Sequence, residues 1–256
     1  MLSIAIANQK GGVGKTTTTA ALGSLLCDRG LRVLLIDMDS QASLTKALGI
    51  KAEHKSIADV MGSHLEGTLT LSEVSQVIRD GLSIVPSNIL LYTTEMSLVG
   101  RIGRETILKK AIGELTGFDV VLIDCPPSMG MLTINGLVAS RGVIIPSLPA
   151  EADLQGVRSI IETIRSIEAA GLNPAIDTLG VLIVQFDGRT IEHNRIADAI
   201  RKSTLPLLGI IPRSVRVQES VAAKKPVNEY APRCKPVMAY QEVSDKIMNW
   251  VYYQNT

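Results

Sequence analysis

Residues Asn8–Leu22 read NQKGGVGKTTTTAAL, a string that sets glycines, two lysines and a threonine run between an apolar stretch and a helical pattern. Glycines at 11, 12 and 14 let backbone N–H groups wrap an anion. A helix starting immediately afterwards adds the positive end of its dipole at the same point. In such a loop, formed by Gly11, Gly12, Val13 and Gly14, Lys15 reaches the outer phosphates of a nucleotide such as ATP. The Thr16 hydroxyl coordinates Mg2+, and Thr17 can hydrogen-bond the inner phosphate. The usual spacing puts a glycine where this chain has Gln9, and a second cation, Lys10, is present.

Three carboxylates belong to the same chemistry. Asp37 and Asp39 end the run RVLLIDMDS and, two apart, share one face of an extended strand. Either can turn toward the phosphates, one to orient or deprotonate an attacking water, or both simply to cap the turn or lie near magnesium. Asp124 closes the apolar run VVLI, so its carboxylate is expected at the sheet edge facing the glycine loop, holding a water on magnesium. Pro126 and Pro127 stiffen the following segment up to Gly130, which can move as a unit when a γ-phosphate is present.

The elements that must carry these residues follow from composition and pattern. Of 256 residues 46% are hydrophobic, 20% charged and only 3% aromatic, which predicts a core of Ile, Val, Leu and Ala as in buried parallel sheets. Strand-like runs alternate with helical patterns: SIAIA, RVLLIDMDS, LSIVPS, DVVLIDCPPS, GVIIPS, TLGVLIVQF and LLGIIP are each followed by a helix or loop. The fold class expected is α/β, a mostly parallel twisted sheet flanked by helices on both faces, with ligands beyond the C-terminal strand ends. Residues 1–256 are expected to form a single domain, with Lys51–Gly100 as short helices and loops within it.

Cys27, Cys125 and Cys234 share no metal-ligand spacing and the three histidines are scattered, so neither a structural metal nor a disulfide is expected. The N-terminus runs straight into a strand and no apolar stretch is long enough to span a membrane, which predicts a cytoplasmic protein. Net charge is +1, yet from Arg213 onward seven basic residues face four acidic ones, a mild basic patch on a nearly neutral body.

Five ordered blocks, KGGVGKTTT, VLLIDMDSQASLTKALG, VVLIDCPPSMGMLTINGLVAS, GVLIVQFDGRT and IIPRSVRVQESVAAKKPVNEYAPR, cover nearly the whole chain. Together they resemble the ParA/Soj family of DNA-partitioning ATPases, P-loop enzymes of the deviant Walker-A group that also contains MinD. The resemblance implies that Lys10 reaches across a two-fold interface to the phosphates held by the partner subunit, coupling ATP occupancy to homodimer formation. It implies that Asp39 is the switch-I aspartate needed for hydrolysis and Asp124 the Walker-B aspartate. Pro212 and Arg213 would hold the adenine, with Asp187 as a neighbour. Arg189 and Arg216 match positions that relatives use for sequence-independent DNA binding, with Lys224, Lys225 and Arg233 as additions. A nucleoid-associated ATP dimer and a ParB-like adaptor that stimulates slow hydrolysis complete the implied system.

The chain also departs from that pattern. It has DSQAS where many relatives have DPQGN, which loosens switch I, and PSLPAEADLQG lacks aromatics found in some relatives. A MinD-like membrane role would use the tail SDKIMNWVYYQNT, where Ile247, Trp250 and Val251 have helical spacing. With Lys246 as its only cation, that tail is expected to pack on the core instead. A metabolic ligase, or an iron–sulfur reductase using Cys125, is the remaining alternative.

Overall fold

The computed structural model describes residues 1–52, 55–62 and 69–255. In chain order the elements are β1 (Leu2–Ile6), α1 (Lys15–Asp28), β2 (Val33–Asp37), α2 (Ser43–Ala47), α3 (Ile57–Met61), α4 (Leu71–Val74), β3 (Gln76–Arg79) and β4 (Leu82–Val85). They continue with α5 (Leu90–Ser97), α6 (Ile107–Gly113), β5 (Val120–Asp124), α7 (Met131–Val138), β6 (Gly142–Ser147), α8 (Glu151–Ala169) and β7 (Asp177–Phe186). The last are α9 (Ile191–Arg201), β8 (Leu207–Pro212), α10 (Val215–Ala222), α11 (Val227–Tyr230) and α12 (Lys235–Asn255).

The strands form one sheet in the order β3-β4-β2-β5-β1-β6-β7-β8. All neighbours are parallel except β3 and β4. Because side chains alternate along a strand, the central strands feed two cores. Leu34, Ile36, Val121 and Ile123 point to one face, covered by α3, α6, α7, α8 and α9. Val33, Leu35, Val120 and Leu122 point to the other, covered mainly by α1 and α12. The β2–β5 register pairs Asp37 with Asp124, and the β1–β5 register pairs Ile6 with Asp124. The glycine loop and both acidic strand ends therefore share one edge.

One feature differs from the sequence expectation. The Lys51–Gly100 stretch contains, besides short helices, an antiparallel hairpin whose strand β3 was not foreseen. That strand is short and one-sided, with Val77 76% exposed, so it carries no apolar run. The signal that marks it is the Asp80-Gly81 turn, with Gly81 at φ +76. His54 and His64, read as isolated side chains, lie outside the described residues. At the C-terminus, Ile247 and Val251 of α12 are buried in the core, and the Trp250 indole N–H donates to Asp177 Oδ2 at 3.2 Å. Among the described residues no helix is long and apolar enough to cross a membrane.

The loop after β2 carries backbone strain. Ala42, just before α2, has φ 55 and ψ 43, a left-handed conformation that costs a residue bearing a Cβ about 1–2 kcal/mol. Ala42→Gly should therefore raise the unfolding free energy by about 1 kcal/mol, read as a higher urea midpoint at unchanged m-value.

Candidate functional site

The glycine loop is braced from below. Asn8, 1% exposed, donates from Nδ2 to Pro146 O at 2.7 Å, and its Oδ1 accepts the Lys10 N–H at 3.0 Å. Gly12 and Gly14 lie at φ +75 and +78, conformations that a side chain would strain. The Thr18 N–H closes the first helical turn onto Gly14 O at 2.9 Å, and the N–H groups before it are those a helix start leaves for an anion. Lys15 is 7% exposed and its Nζ donates to Lys10 O at 2.9 Å. Burial pushes the Lys15 pKa down, and Asp124 works against that.

Opposite Lys15 the carboxylates converge. Thr16 Oγ1 donates to Asp124 Oδ2 at 2.8 Å. Asp124 is 1% exposed, and its pKa lies well above the ordinary carboxylate value, first because it is buried and then because Asp37 is close. Asp37, fully buried, accepts the N–H and the hydroxyl of Thr45 at 2.9 and 2.7 Å and the Asp39 N–H at 3.1 Å. Burial raises its pKa to about 6. These bonds make Asp37 the fastener of the loop, and they leave the half-buried Asp39 carboxylate, which accepts the Gln41 N–H at 2.9 Å, as the one on the turn itself.

This donor set fits magnesium. Two buried carboxylates, Asp37 and Asp124, end neighbouring strands, and the Thr16 hydroxyl lies beside one of them. Among the described residues no cluster of His, Cys, Asp and Glu holds a metal unaided, which suits an ion held by one hydroxyl, water and phosphate. Thr16 would be its direct protein ligand and Asp124 would hold its water. Such an ion would supply charge neutralisation at bound phosphates.

The acids also make stability depend on pH. Folded Asp37 keeps its proton up to about pH 6, whereas in the unfolded chain it ionises near the ordinary value of 3.8. The native state thus binds more protons across that window, and stability falls as pH rises through it. The nucleotide-free protein should be more stable at pH 5 than at pH 7.5, by on the order of 1 kcal/mol. Asp124 acts in the same direction. Urea midpoints at the two pH values measure the difference, and Asp37→Asn should shrink it.

Lys10 does not hang free. Its Nζ lies 2.7 Å from Asp153 Oδ2, and the Asp153 side chain is 2% exposed in the first turn of α8. Asp153 Oδ1 is buried with no hydrogen-bond partner among the described residues. Sequence reasoning passed over Asp153, because an acid in a helix's first turn is an ordinary complement to the dipole. What would have marked it is the 143-residue separation, which only the fold closes.

Beside the loop lies a cavity of about 230 Å³ lined by Gly14, Thr17, Gln185, Pro212, Arg213 and Tyr240, among others. Pro212 and Arg213 are thus at the glycine loop. Asp187 does not line this cavity. The Arg189 guanidinium donates to it at 2.7 and 3.0 Å and holds it well below the usual carboxylate range. Gln185 and Tyr240 are among the lining residues not foreseen. Gln185, at φ 55, donates from Nε2 to Gly12 O at 3.3 Å, and the Tyr240 hydroxyl shares a 3.0 Å hydrogen bond with Thr18 Oγ1.

The basic residues are exposed, two of them in ion pairs. Arg189 pairs with Asp187, and Arg216 pairs with Glu219 at 2.8 Å. Lys224, Lys225 and Arg233 are exposed on and after the α10–α11 region. Phe186 pairs with Pro212 across β7 and β8, which brings the segments bearing Arg189 and Arg216 to the same sheet edge.

Comparison with known proteins adds three findings. An AAA domain family model matches residues 1–178. Two curated relatives are 36% identical. The chromosome-partitioning ATPase Soj of Thermus thermophilus aligns over 96% of this chain and 94% of its own length. The sporulation initiation inhibitor protein Soj of Bacillus subtilis aligns over 95% and 97%. Among solved structures, a cobyrinic acid a,c-diamide synthase from Mycobacterium smegmatis with bound ADP and magnesium superposes with a TM-score of 0.83. It is 36% identical over 97% of this chain and 94% of that one.

Proposed function

This chain belongs to the ParA/Soj family of ATPases, and from that premise we propose that it is an ATP-switched partition protein. It hydrolyses ATP with magnesium as cofactor. In the proposed cycle residues 1–256 act as one unit, and ATP joins two subunits as Lys10 of each reaches the other's phosphates. The dimer holds DNA without regard to sequence through Arg189 and Arg216, helped by Lys224, Lys225 and Arg233. A ParB-like adaptor bound to a cargo then triggers hydrolysis and release. Pro212 and Arg213 flank the adenine.

The observation that carries this reading is the second lysine, placed on the phosphate loop and tethered by a single carboxylate. A cation needed only in its own subunit has Lys15 already in place. Retention on random-sequence DNA tests the proposal: it should require ATP and fall steeply with salt. Equal retention with ADP and ATP would refute it.

Asp39 is assigned to the water-orienting role because Asp37 spends its carboxylate on Thr45 and the Asp39 N–H. Asp39→Ala should bind ATP and lower kcat about a hundredfold or more, accumulating the ATP dimer in size-exclusion chromatography.

A second reading rests on the solved synthase at 36% identity. A ligase of that kind would turn over ATP in response to cobyrinic acid rather than to DNA with an adaptor, so adding each to the assay separates the two. The membrane and iron–sulfur readings have less support. The C-terminal helix spends Ile247 and Val251 on the core, and Cys125 is 1% exposed with its thiol pushed up to about 12 by burial.

A further inference from the structure

Helix α5 lies between the two segments that flank the candidate phosphate site. At its start, Ser87, Asn88 and Ile89 line a groove together with Ser40, Gln41 and Ala42 of the loop after Asp39. Farther along, Glu95 Oε1 accepts the Leu132 N–H at 3.3 Å, in the first turn of α7. That turn begins directly after the Cys125–Gly130 segment, whose Pro127 lies against the glycine loop, 4.0 Å from a Cβ built at Gly11.

The start of α7 has no capping group of its own. Its N-cap is Gly130, with no side-chain cap and no acid in the first turn. A helix start needs an acceptor and favours negative charge, and here Glu95 brings both from another element. Gly130 is also the residue that admits this carboxylate, since a Cβ there would collide with Glu95 Oε1. From α7, Thr133 Oγ1 donates to Ser128 O at 2.6 Å and ties the middle of the segment to the same helix. The later half of the 125–130 segment is therefore tied to the first turn of α7, while its start is held by the Cys125 N–H on Ile6 O.

We propose that Glu95 is a positioning residue for ATP hydrolysis: by capping α7 it holds the Cys125–Gly130 segment against the phosphate loop. Through α5 it also links that segment to the loop bearing Asp39. The inference rests on the reading of residues 125–130 as the segment that senses the γ-phosphate. ATP binding itself depends on the glycine loop and Lys15, which Glu95 does not touch, so its loss falls on the chemical step.

The test uses the full chain, steady-state ATPase and titration with a fluorescent ATP analogue. Glu95→Ala should lower kcat about tenfold, with analogue affinity within about twofold of wild type. Glu95→Gln keeps an oxygen that accepts the Leu132 N–H and should recover kcat to within about threefold. In Gly130→Ala only the end of the flexible Glu95 side chain must shift, so kcat should fall less than in Glu95→Ala, and the double variant should be no worse than Glu95→Ala alone. Wild-type kcat in Glu95→Ala, no rescue by glutamine, or additive losses in the double variant would each overturn the proposal. If Glu95→Ala does not fold, Glu95→Gln and a shorter Glu95→Asp, which withdraws the carboxylate and should lower kcat, carry the comparison. Hydrogen exchange of residues 125–131 with ADP against a non-hydrolysable ATP analogue separates the two layers. No nucleotide response in the wild type would sink the sensing segment, whereas an equal response in wild type and Glu95→Ala would sink the role of Glu95.

Discussion

Lys10→Ala should leave ATP binding by the single subunit within a few-fold of wild type while abolishing the ATP-dependent dimer, read by light scattering with ATP and with ADP. The expectation follows from where the two lysines sit. Lys15 is buried over its own loop, so in the proposed reading the subunit keeps its phosphate cation when Lys10 is removed. Lys10 is half exposed and tied only to Asp153, so it can swing to a partner's phosphates once they offer more charge than one carboxylate. The cis pair competes with the trans contact, because a side chain held in one arrangement must be released before it serves another. Loosening that tie with Asp153→Asn should therefore shift dimerisation in the opposite direction, to lower protein concentration by about tenfold. Unchanged dimerisation in Lys10→Ala would refute the trans role. An unchanged midpoint in Asp153→Asn would refute the competition alone.

The second large effect concerns DNA. Arg189→Glu combined with Arg216→Glu should lower affinity for random-sequence DNA by about a thousandfold or more at low salt, with ATP binding spared. A dimer carries both residues twice, so four cations are reversed. If each contacts one phosphate, the slope of log K against log salt should become shallower by roughly 3–4. In the structure each arginine is held by a neighbouring carboxylate, Asp187 or Glu219. Exposed pairs of this kind are screened by solvent and too weak to compete with a DNA phosphate. Filter binding across a salt series measures both quantities. Retention equal to wild type would move the DNA surface elsewhere, with Lys224, Lys225 and Arg233 next to be tested.

Much of the architecture was legible in the chain because it is written in short-range patterns. Buried parallel strands need continuous apolar runs, and VLLID and VVLID declare both the strands and the acids that end them. Glycines flanked by a strand and a helix announce an anion loop, and the same reasoning put Thr16 and Asp124 at one edge, where their side chains lie 2.8 Å apart. The edge strand β3 escaped because a short, half-exposed strand has no apolar run to show.

What only the tertiary structure decided are pairings between residues far apart in the chain. Two aspartates two positions apart look equivalent in sequence, yet Thr45 takes Asp37 and leaves Asp39 on the turn. Lys10 finds Asp153, Glu95 finds the start of α7, and Tyr240 reaches α1 through Thr18. Asp187 turns to Arg189 rather than to the cavity. Local chemistry names the groups able to act. Which group meets which depends on how the strands and helices pack, and periodicity within a single segment carries no record of that.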